Sequence, residues 1–532
     1  MHRYSKDNIF LWTKILMAYK KKIAVIGGGF AGIGALASLV EEGCFDPICF
    51  ERTSECAGTW CYREESTDGV ASIMPTTILN HSKEIGAISN FPPNKEVNNF
   101  MKHEEFYQYI TDYAKANDIL KYIRYNSEVV SVKRSVDYNE TGRWIVTVKD
   151  TISETLFSDI YDGVIVAVGH MNRPKMPNYP GQEKFKGHIM HTHKLKGVQQ
   201  YQNKNVVVVG MGCSALDAAV EISNVTKQVY LSSRSGAHVL KRIGPKGYPY
   251  DYILLRPYFF QLFDIFPSDM ISSVFESIYT DNYFHQKLFP VAPKHHIFSK
   301  DPVVNDQIGV KLLSGSIIQK TNIECFTEDG VIFEGDSKVT KADVVIMATG
   351  YTWKFPFLEE GTLIQEENKI NLYKCIFPPH LPHATLAIIG FFLPFGPGIP
   401  AGELQSRWTA QVFAGKCKLP SHQEMMMDIN KKYEINCSRY PSCEKISVRV
   451  DYISYCDDIA FQFGAKPNLY KLVFTDPSLF LKILFGPSLS YQYRLQGPHL
   501  WKGAREAIMT SHDRILYAIT KKRFSGNSRK YF

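Results

Sequence analysis

Two stretches of the chain each combine an apolar strand pattern with a glycine-rich turn, and they constrain the fold more than any other feature. Residues 23–27 read I-A-V-I-G, and residues 205–210 read N-V-V-V-V-G. Continuous hydrophobicity of this kind is typical of buried parallel strands. Each run leads directly into a glycine-rich turn and a helix-like segment. Two such βα units predict an α/β fold with two dinucleotide-binding domains.

The first glycine motif is Gly27-Gly28-Gly29-Phe30-Ala31-Gly32, which has the spacing G-x-G-x-x-G. Its glycines permit a tight turn, close approach of a pyrophosphate and close packing of helix on strand. The phosphates would lie at a helix N-terminus, which favours anions. Glu51 follows the next apolar segment, 19 residues after Gly32, where an acid accepts hydrogen bonds from a ribose diol. We predict a dinucleotide site here; an ordinary buried turn is the alternative.

The second motif is Gly210-Met211-Gly212-Cys213-Ser214-Ala215, which has the accepted variant spacing G-x-G-x-x-A. The next apolar strand ends in Ser232-Ser233-Arg234, without an acid. An acid would repel a 2′-phosphate, whereas arginine pairs with it in a forked, charge-assisted geometry. The second site is therefore predicted to prefer NADPH over NADH. The alternative is that Arg234 is an ordinary surface residue at a strand end.

Two further apolar runs, at 163–169 and 343–350, end in glycine and are predicted to return to a sheet beside a bound nucleotide. The region from about 240 to 300 is rich in Phe, Tyr and Leu without strand alternation. It predicts a helical insertion into the second domain. The fold class predicted from the sequence is thus α/β, with two Rossmann-like domains and a helical insertion.

Charge and cysteine usage exclude several other classes of protein. The net charge is +8 over 532 residues, which indicates a solvated surface and no nucleic-acid partner, because nucleic acid requires a dense basic stripe. The 11 cysteines form no C-x-x-C pair. Free thiols in a reducing compartment are therefore favoured over a metal site or a redox dithiol.

The two ends of the chain leave alternatives open. The apolar stretch Ile9–Met17 is shorter than the ~20 residues that span a bilayer, and its positive charges follow it, unlike a secretory signal. Residues 1–22 are an amphipathic surface helix or reflect the choice of start site, with Met17 as the hypothetical true start. The basic and aromatic tail is either solvated or in contact with an anionic membrane surface. We predict no transmembrane helix elsewhere.

Five further segments stand in a fixed order along the chain. They are A-G-T-W at 57–60, N-H-S-K-E at 80–84, F-K-G-H-I-M-H at 185–191, A-T-G-Y at 348–351 and L-Q-S-R-W at 404–408. Together with the glycine motifs, they resemble the flavin-containing monooxygenase family over about residues 23–515. The chain departs from the family pattern at Ala57 (usually glycine), Leu195 (usually aromatic) and Cys213 (commonly asparagine). The family's usual hydrophobic C-terminal anchor is also not matched by the basic tail.

The resemblance implies FAD in the first site, NADPH in the second and no metal. It divides the chain into an extension (1–22), an FAD-binding domain in two parts (23–170 and 331–446), an NADPH-binding domain (171–330) and a C-terminal segment (447–532). The predicted cofactor-binding residues are Gly27, Gly28, Gly29, Phe30, Ala31, Gly32, Glu51, Arg52, Gly58, Thr59, Trp60, Asn80, Gly210, Gly212, Cys213, Ser214, Ala215, Ser233, Arg234, Thr349 and Gly350.

The activity that the resemblance implies is monooxygenation. NADPH reduces the flavin, O2 adds to form a C(4a)-hydroperoxyflavin, and a small nucleophilic amine or thioether takes one oxygen atom. Asn80 matches the family asparagine near the flavin ring and is the predicted catalytic residue; a turn-capping asparagine is the alternative. His191 is expected to stabilise the link between the domains. The alternative functions are Baeyer–Villiger oxygenation, NADPH oxidation with release of H2O2, and a catalytically inactive flavoprotein module.

Asn80-His81-Ser82 is formally also an N-glycosylation sequon. A sugar at this position would clash with the flavin role. We therefore expect the catalytic domain on the cytosolic side, either at the endoplasmic reticulum membrane as a peripheral protein or in the cytoplasm. The sequence leaves the physiological substrate and the oligomeric state open, with a homo-oligomer among the alternatives.

Overall fold

The computed structural model describes residues 20–280, 288–290, 292–366, 369–440 and 445–524. The hypothesis that Met17 is the start and the two interpretations of the C-terminal tail concern residues that lie largely outside these ranges. Within them, two five-stranded parallel sheets form the framework of the molecule. They confirm the predicted α/β fold with two Rossmann-like domains.

The first sheet has the strand order Leu386–Ile388, Gly163–Val166, Lys21–Ile26, Phe45–Phe50 and Ile123–Arg124, with every neighbouring pair parallel. Its central strand begins at Lys21, and the four apolar residues from Ile23 to Ile26 are buried. Helix Phe30–Glu42 follows this strand and covers one face of the sheet. The burial of both faces explains why the strand is apolar throughout rather than alternating.

Three antiparallel strands and two helices complete the first part of this domain. The strands are Ser127–Arg134, Trp144–Asp150 and Leu156–Tyr161, and the helices are His103–Ala116 and Tyr138–Thr141. Helix His103–Ala116 buries one apolar face, including Phe106 and Ile110.

The second sheet has the strand order Ile317–Lys320, Gln228–Ser232, Asn205–Val209, Val344–Met347 and His188–His191, again parallel throughout. Helices Cys213–Ile222 and Ile308–Leu313 pack beside it. A small antiparallel sheet, with strands Ile323–Phe326, Gly330–Phe333 and Thr340–Lys341, lies between its last strands in sequence.

The position of Val344–Met347 corrects the domain boundary expected at residue 331. This strand pairs with Asn205–Val209 and His188–His191, so it belongs to the second sheet. The chain returns to the first domain only after it. A fully buried apolar strand has the same pattern in either sheet, which is why the sequence did not assign it.

The predicted insertion is helical, as expected. Helices Tyr250–Leu254, Pro257–Ile265 and Ser268–Phe275 lie between two short parallel strands, Val239–Leu240 and Val303–Val304. An aromatic cluster holds the helices together, with Phe263 and Phe275 5.1 Å and 5.0 Å from the ring of Phe298.

The C-terminal part is mostly helical and belongs to the first domain. Its helices are Gly398–Phe413, His422–Arg439, Tyr452–Gln462, Leu469–Thr475, Pro477–Phe485, Ala504–Met509 and Ser511–Phe524. Short strand pairs are formed by Gln365–Glu366 with Lys369–Ile370 and by Leu393–Phe395 with Arg449–Asp451. Arg494 is buried and pairs with Glu41 at 2.9 Å and with the equally buried Glu403 at 3.2 Å. No helix within the described ranges is both long and apolar enough to cross a membrane.

Candidate functional site

The first glycine turn leaves no room for side chains at two positions. Gly27 has φ +101°, and a Cβ atom there would lie 2.7 Å from the Ala167 carbonyl oxygen. A Cβ atom at Gly32 would lie 1.9 Å from the Gly27 carbonyl oxygen. Both distances are far below contact distance, so strand, turn and helix approach one another only because these residues are glycines.

The turn also presents the groups that a dinucleotide requires. Helix Phe30–Glu42 begins after Gly29, which has no side chain to cap the first N–H groups of the helix. Glu51 lies at the end of the neighbouring strand and is buried. Its Oε2 accepts a hydrogen bond from the Gly28 N–H at 2.7 Å, and its Oε1 accepts from the Thr53 N–H and hydroxyl at 2.9 and 2.8 Å. An acid is thus fixed beside uncapped helical N–H groups, which fits an adenine dinucleotide such as FAD.

The segment at 57–60 packs directly on this turn. The Ala57 N–H donates to the Gly28 carbonyl at 2.9 Å, and a Cβ atom at Gly58 would lie 2.9 Å from the Gly29 Cα. Ala57 has the left-handed conformation, φ 72°, which glycine adopts with less strain than alanine. The half-buried Thr59 and Trp60 follow, and the Trp60 ring packs on Phe106 at 4.8 Å. Arg52, next to Glu51, lies 3.6 Å (Nε to Oε1) from Glu128.

The second glycine turn repeats the first with one difference. A Cβ atom at Gly210, φ +131°, would lie 2.5 Å from the Ala348 carbonyl oxygen. A Cβ atom at Gly212 would meet nothing within 4 Å among the described residues. Packing of the protein therefore does not explain the second glycine, whereas approach of a ligand phosphate to the start of helix Cys213–Ile222 does. Ser214 is exposed at this end, and Ala215 is buried against the sheet.

The strand that follows ends in a basic loop. The Ser233 N–H donates to the Lys320 carbonyl at 3.1 Å, its hydroxyl accepts from the Gly236 N–H at 3.1 Å, and Arg234 is exposed. The Lys300 ammonium reaches the same loop and donates to the Ser235 hydroxyl at 3.1 Å. No sequence motif marks Lys300, so its position beside this loop was not predictable from the sequence. Two cations beside this strand end fit a 2′-phosphate.

The structure brings Asn80 of the first domain against the second domain. Its Oδ1 accepts from the Arg242 guanidinium at 2.8 Å, and its Nδ2 donates to the Cys213 sulfur at 3.5 Å. Arginine has only donors, so the amide oxygen is assigned to the Arg242 side. Asn80 thus lies beside the helix terminus at which the second dinucleotide would bind.

Arg242 is the second residue that sequence analysis missed. Its Nη1 donates to Asp306 Oδ2 at 2.8 Å, its backbone N–H donates to Asp306 Oδ1 at 2.8 Å, and its Nε donates to the Leu79 carbonyl at 3.0 Å. The only sequence feature that points to Arg242 is its position shortly after a strand. Many basic surface residues occupy such positions, so this feature does not single out Arg242. The contacts show that Arg242 joins the two domains at Asn80.

Burial raises the pKa of two acidic groups beside this junction. It raises the pKa of the Cys213 thiol, which is therefore not a reactive thiolate. It also raises the pKa of Asp217, one turn further along the helix, to about 6. Asp217 Oδ1 accepts from the Asn305 amide at 3.0 Å.

His191 is held by hydrogen bonds on both ring nitrogens. Nε2 donates to the Gly350 carbonyl at 3.1 Å, and Nδ1 accepts from the His193 N–H at 3.0 Å. Burial lowers the pKa of His191 to about 4, so the ring is neutral at physiological pH. The Thr349 hydroxyl donates to the Lys175 carbonyl at 2.5 Å. These contacts tie residues 349–350, just after strand Val344–Met347, to His191 and Lys175. Thr349 and Gly350 therefore lie at the carboxyl end of the second sheet. Leu195, in the aromatic position of the family, is buried in the core of the second domain.

Two glycine turns of this kind, with a cationic strand end beside the second, define a protein that binds two dinucleotides. Comparison with known proteins agrees. A family model described as flavin-binding monooxygenase-like matches residues 20–532. Flavin-containing monooxygenase 5 of Rattus norvegicus is 42% identical over 498 residues, 93% of this chain and 92% of that protein. Dimethylaniline monooxygenase (N-oxide-forming) 2 of the same species is 40% identical over the same shares.

The chain belongs to the flavin-containing monooxygenase family. It is an NADPH-dependent flavin monooxygenase with FAD and NADPH as its cofactors. Among solved structures, S-allyl-L-cysteine S-oxygenase from Allium sativum superimposes with a TM-score of 0.64 at 23% identity, covering 92% of this chain and 99% of that one. At this identity, the likeness shows a shared fold.

Proposed function

We propose that this monooxygenase uses NADPH and O2 to oxygenate the nitrogen or sulfur of small nucleophilic amines and thioethers. The observation that carries the proposal is the Asn80 amide, which Arg242 holds at the contact between the two domains, beside the second glycine turn. The names of two similar proteins support it, one an N-oxide-forming dimethylaniline monooxygenase and the other an S-oxygenase.

The residues of the chain would bind the cofactors, orient them and exclude water. FAD, when bound, supplies the redox chemistry with NADPH and O2. A neutral amide both donates and accepts hydrogen bonds without transferring a proton. Because Arg242 bonds the oxygen of the Asn80 amide, the amide nitrogen of Asn80 faces Cys213, at the start of the helix that follows the second glycine turn. Asn80 would therefore orient a polar group of cofactor or oxygen there.

An aromatic cluster close to the first glycine turn supports exclusion of water. The rings of Trp353 and Phe355 pack on Phe391 at 4.8 and 5.1 Å. The preceding Gly390 lies against the turn, since a Cβ atom there would be 2.9 Å from the Ala31 Cβ. An apolar wall beside the flavin site would suppress the wasteful release of H2O2, because activated oxygen decays in contact with water.

The test uses the FAD-loaded full-length enzyme with NADPH, O2 and, in turn, N,N-dimethylaniline, methimazole and a cyclic ketone. We expect N-oxide and S-oxygenated product in amounts that match the NADPH consumed. An ester or lactone from the ketone alone would instead establish Baeyer–Villiger oxygenation. Peroxide alone would establish an NADPH oxidase. Failure to retain FAD, with no consumption of NADPH, would favour a catalytically inactive module.

We also propose peripheral attachment to the cytosolic face of the endoplasmic reticulum membrane. Helix Leu469–Thr475 exposes Tyr470 and Phe474, at 88% and 87% of their surface, and the next helix exposes Leu481 and Phe485. Exposed apolar side chains of this size mark interaction surfaces. Sedimentation with anionic liposomes should retain the enzyme and release the variant Tyr470→Ser/Phe474→Ser. Lack of sedimentation by the unaltered enzyme would favour the cytoplasm.

A further inference from the structure

The segment that carries Asn80, residues 78–84, is anchored to its own domain at two points. The Leu79 N–H donates to the Met101 carbonyl at 3.0 Å, and the Lys83 N–H donates to the Asn99 carbonyl at 2.7 Å. Between these anchors, the backbone turns towards the second domain. A contact that holds the backbone between Leu79 and Lys83 therefore also restricts the position of Asn80.

The backbone of this intervening stretch is held by a carboxylate from the insertion. The Ser82 N–H donates to Asp251 Oδ2 at 2.5 Å, and Ser82 is fully buried. The other oxygen, Oδ1, accepts from the Tyr252 N–H at 2.8 Å, in the first turn of helix Tyr250–Leu254. Burial raises the pKa of Asp251 to about 6, so the carboxylate is ionised at neutral pH. A buried N–H bonded to an ionised acceptor is held more firmly than one bonded to a neutral acceptor.

The two contacts on the Asn80 segment come from the two ends of one closed loop. The Tyr250 N–H donates to the Arg242 carbonyl at 2.8 Å, and the Gly244 N–H donates to the Tyr248 carbonyl at 2.8 Å. Arg242 at the start of the loop bonds Asn80 Oδ1, and Asp251 at its end bonds the Ser82 backbone. The loop therefore contacts the segment on both sides of His81, at Asn80 and at Ser82.

The helix that carries Asp251 is itself fixed to the first domain. Tyr252 is buried, and its hydroxyl lies 3.2 Å from the Ser511 hydroxyl. The Leu255 carbonyl, directly after the helix, accepts from the Ser488 N–H at 2.8 Å. The carboxylate thus has a fixed position relative to the core that surrounds the Asn80 segment.

We propose that Asp251 is a positioning residue, which holds Asn80 at the cofactor junction through the Ser82 backbone and so makes the helical insertion part of the flavin site. The inference rests on the proposed role of Asn80. It assigns to the insertion a task in coupling NADPH consumption to oxygenation, in addition to any contact with substrate.

The test measures two properties of the FAD-loaded enzyme. The first is hydrogen–deuterium exchange of peptides that cover residues 78–84, without NADPH. The second is the ratio of H2O2 to oxygenated product per NADPH. In Asp251→Ala we expect exchange at Ser82 to rise about tenfold or more, together with a larger share of H2O2. The KM for NADPH should stay within about threefold, since Asp251 bonds the Ser82 and Tyr252 backbone rather than the loop that carries Arg234.

Two further variants make the experiment decisive. Asp251→Asn keeps an acceptor but removes the charge, and it should show an intermediate rise in exchange of about threefold. It carries the test alone if the alanine variant does not fold. Asp269→Ala is the matched control, because Asp269 also lies in the first turn of an insertion helix but is exposed. It should leave both properties unchanged.

The outcomes separate the inference from the proposed function. Unchanged exchange in both Asp251 variants would overturn the positioning role of Asp251, whatever Asn80 does. Faster exchange with an unchanged share of H2O2 would show that the segment is held by Asp251, and it would overturn the proposed role of Asn80 and the coupling role built on it. An increase in both, absent from Asp269→Ala, would support both.

Discussion

The side-chain nitrogen of Asn80 lies 3.5 Å from the sulfur of Cys213, although the two residues belong to different domains. The family commonly has asparagine in place of this cysteine. Sulfur is a weak acceptor, whereas the Arg242 guanidinium bonds the same amide at 2.8 Å with a full charge. The departure at Cys213 therefore touches the candidate site without determining how Asn80 is held.

We expect Arg242→Ala to impair coupling far more than Cys213→Ala. Loss of the guanidinium frees the Asn80 amide and leaves Asp306 without its cation, so oxygenated product per NADPH should fall roughly tenfold or more. Loss of the thiol should change it by less than about threefold. Product and H2O2 are counted together in each variant. Equal losses would mean that the thiol holds Asn80 as firmly as the arginine does.

The two glycine turns should respond differently to one added methyl group. Gly32→Ala places Cβ 1.9 Å from the Gly27 carbonyl oxygen, so the variant should fail to fold or to retain FAD. At Gly212 the backbone has φ −86°, and a Cβ atom meets nothing within 4 Å in the described part of the chain. Gly212→Ala should therefore fold, keep its yellow colour and lose affinity for NADP+. Unaltered NADP+ binding, measured by titration of the flavin spectrum, would place the pyrophosphate elsewhere.

Arg234 should distinguish NADPH from NADH. Arg234→Ala removes an exposed guanidinium just after strand Gln228–Ser232 of the NADPH domain. A charge-assisted hydrogen bond contributes about 1.5–3 kcal/mol, so the KM for NADPH should rise roughly ten- to hundredfold while that for NADH changes little. Steady-state kinetics with both nucleotides provides the measurement. Parallel changes for the two nucleotides would contradict the role of Arg234 in binding the 2′-phosphate.

The buried pair of Arg494 and Glu403 should matter for retention of FAD. Arg494→Ala leaves Glu403 buried without its cation, which costs about 3–5 kcal/mol, and it also removes the contact with Glu41 at the end of the FAD-binding helix. We expect a lower Tm and release of FAD at a lower temperature. Arg505→Ala, which breaks an exposed pair with Asp476, should have little effect. If Arg494→Ala and Arg505→Ala gave the same melting curve, the buried pair would contribute no more to stability than the exposed one.

The pKa of Asp217 predicts how one substitution depends on pH. Burial raises this pKa to about 6 in the folded enzyme, above its value of about 3.9 in an unfolded chain. The folded state therefore binds more protons between these values, and the carboxyl destabilises the fold as pH rises from about 4 through 6. Asp217→Asn removes this cost. The variant should therefore gain stability relative to the original enzyme between pH 5 and pH 7, and the difference between their free energies of unfolding should grow by on the order of 1–2 kcal/mol.

Urea unfolding of both proteins at the two pH values measures this difference. A relative stability that does not change with pH would show that Asp217 titrates in its ordinary range. The Asn305 amide, which donates to Asp217 at 3.0 Å, can donate equally to the asparagine oxygen, so the substitution changes charge and little else.

The glycine turns and the strands before them were predictable because their requirements are local. A positive φ at Gly27 and Gly210, and the absence of space for a Cβ atom at Gly32, follow from the geometry of a strand, a turn and a helix that are adjacent in sequence. The strand Val344–Met347 was predictable as a strand but not in its sheet, because a fully buried strand carries no mark of its neighbours.

By itself, the sequence determined two dinucleotide-binding units, the acid at Glu51 and the family resemblance that singled out Asn80. Only the tertiary structure decided which groups surround Asn80. Arg242 and Asp251 lie more than 160 residues away in sequence, and they reach the Asn80 segment because two domains and an insertion pack together. Such packing depends on the summed fit of many side chains, so no single spacing or motif records it.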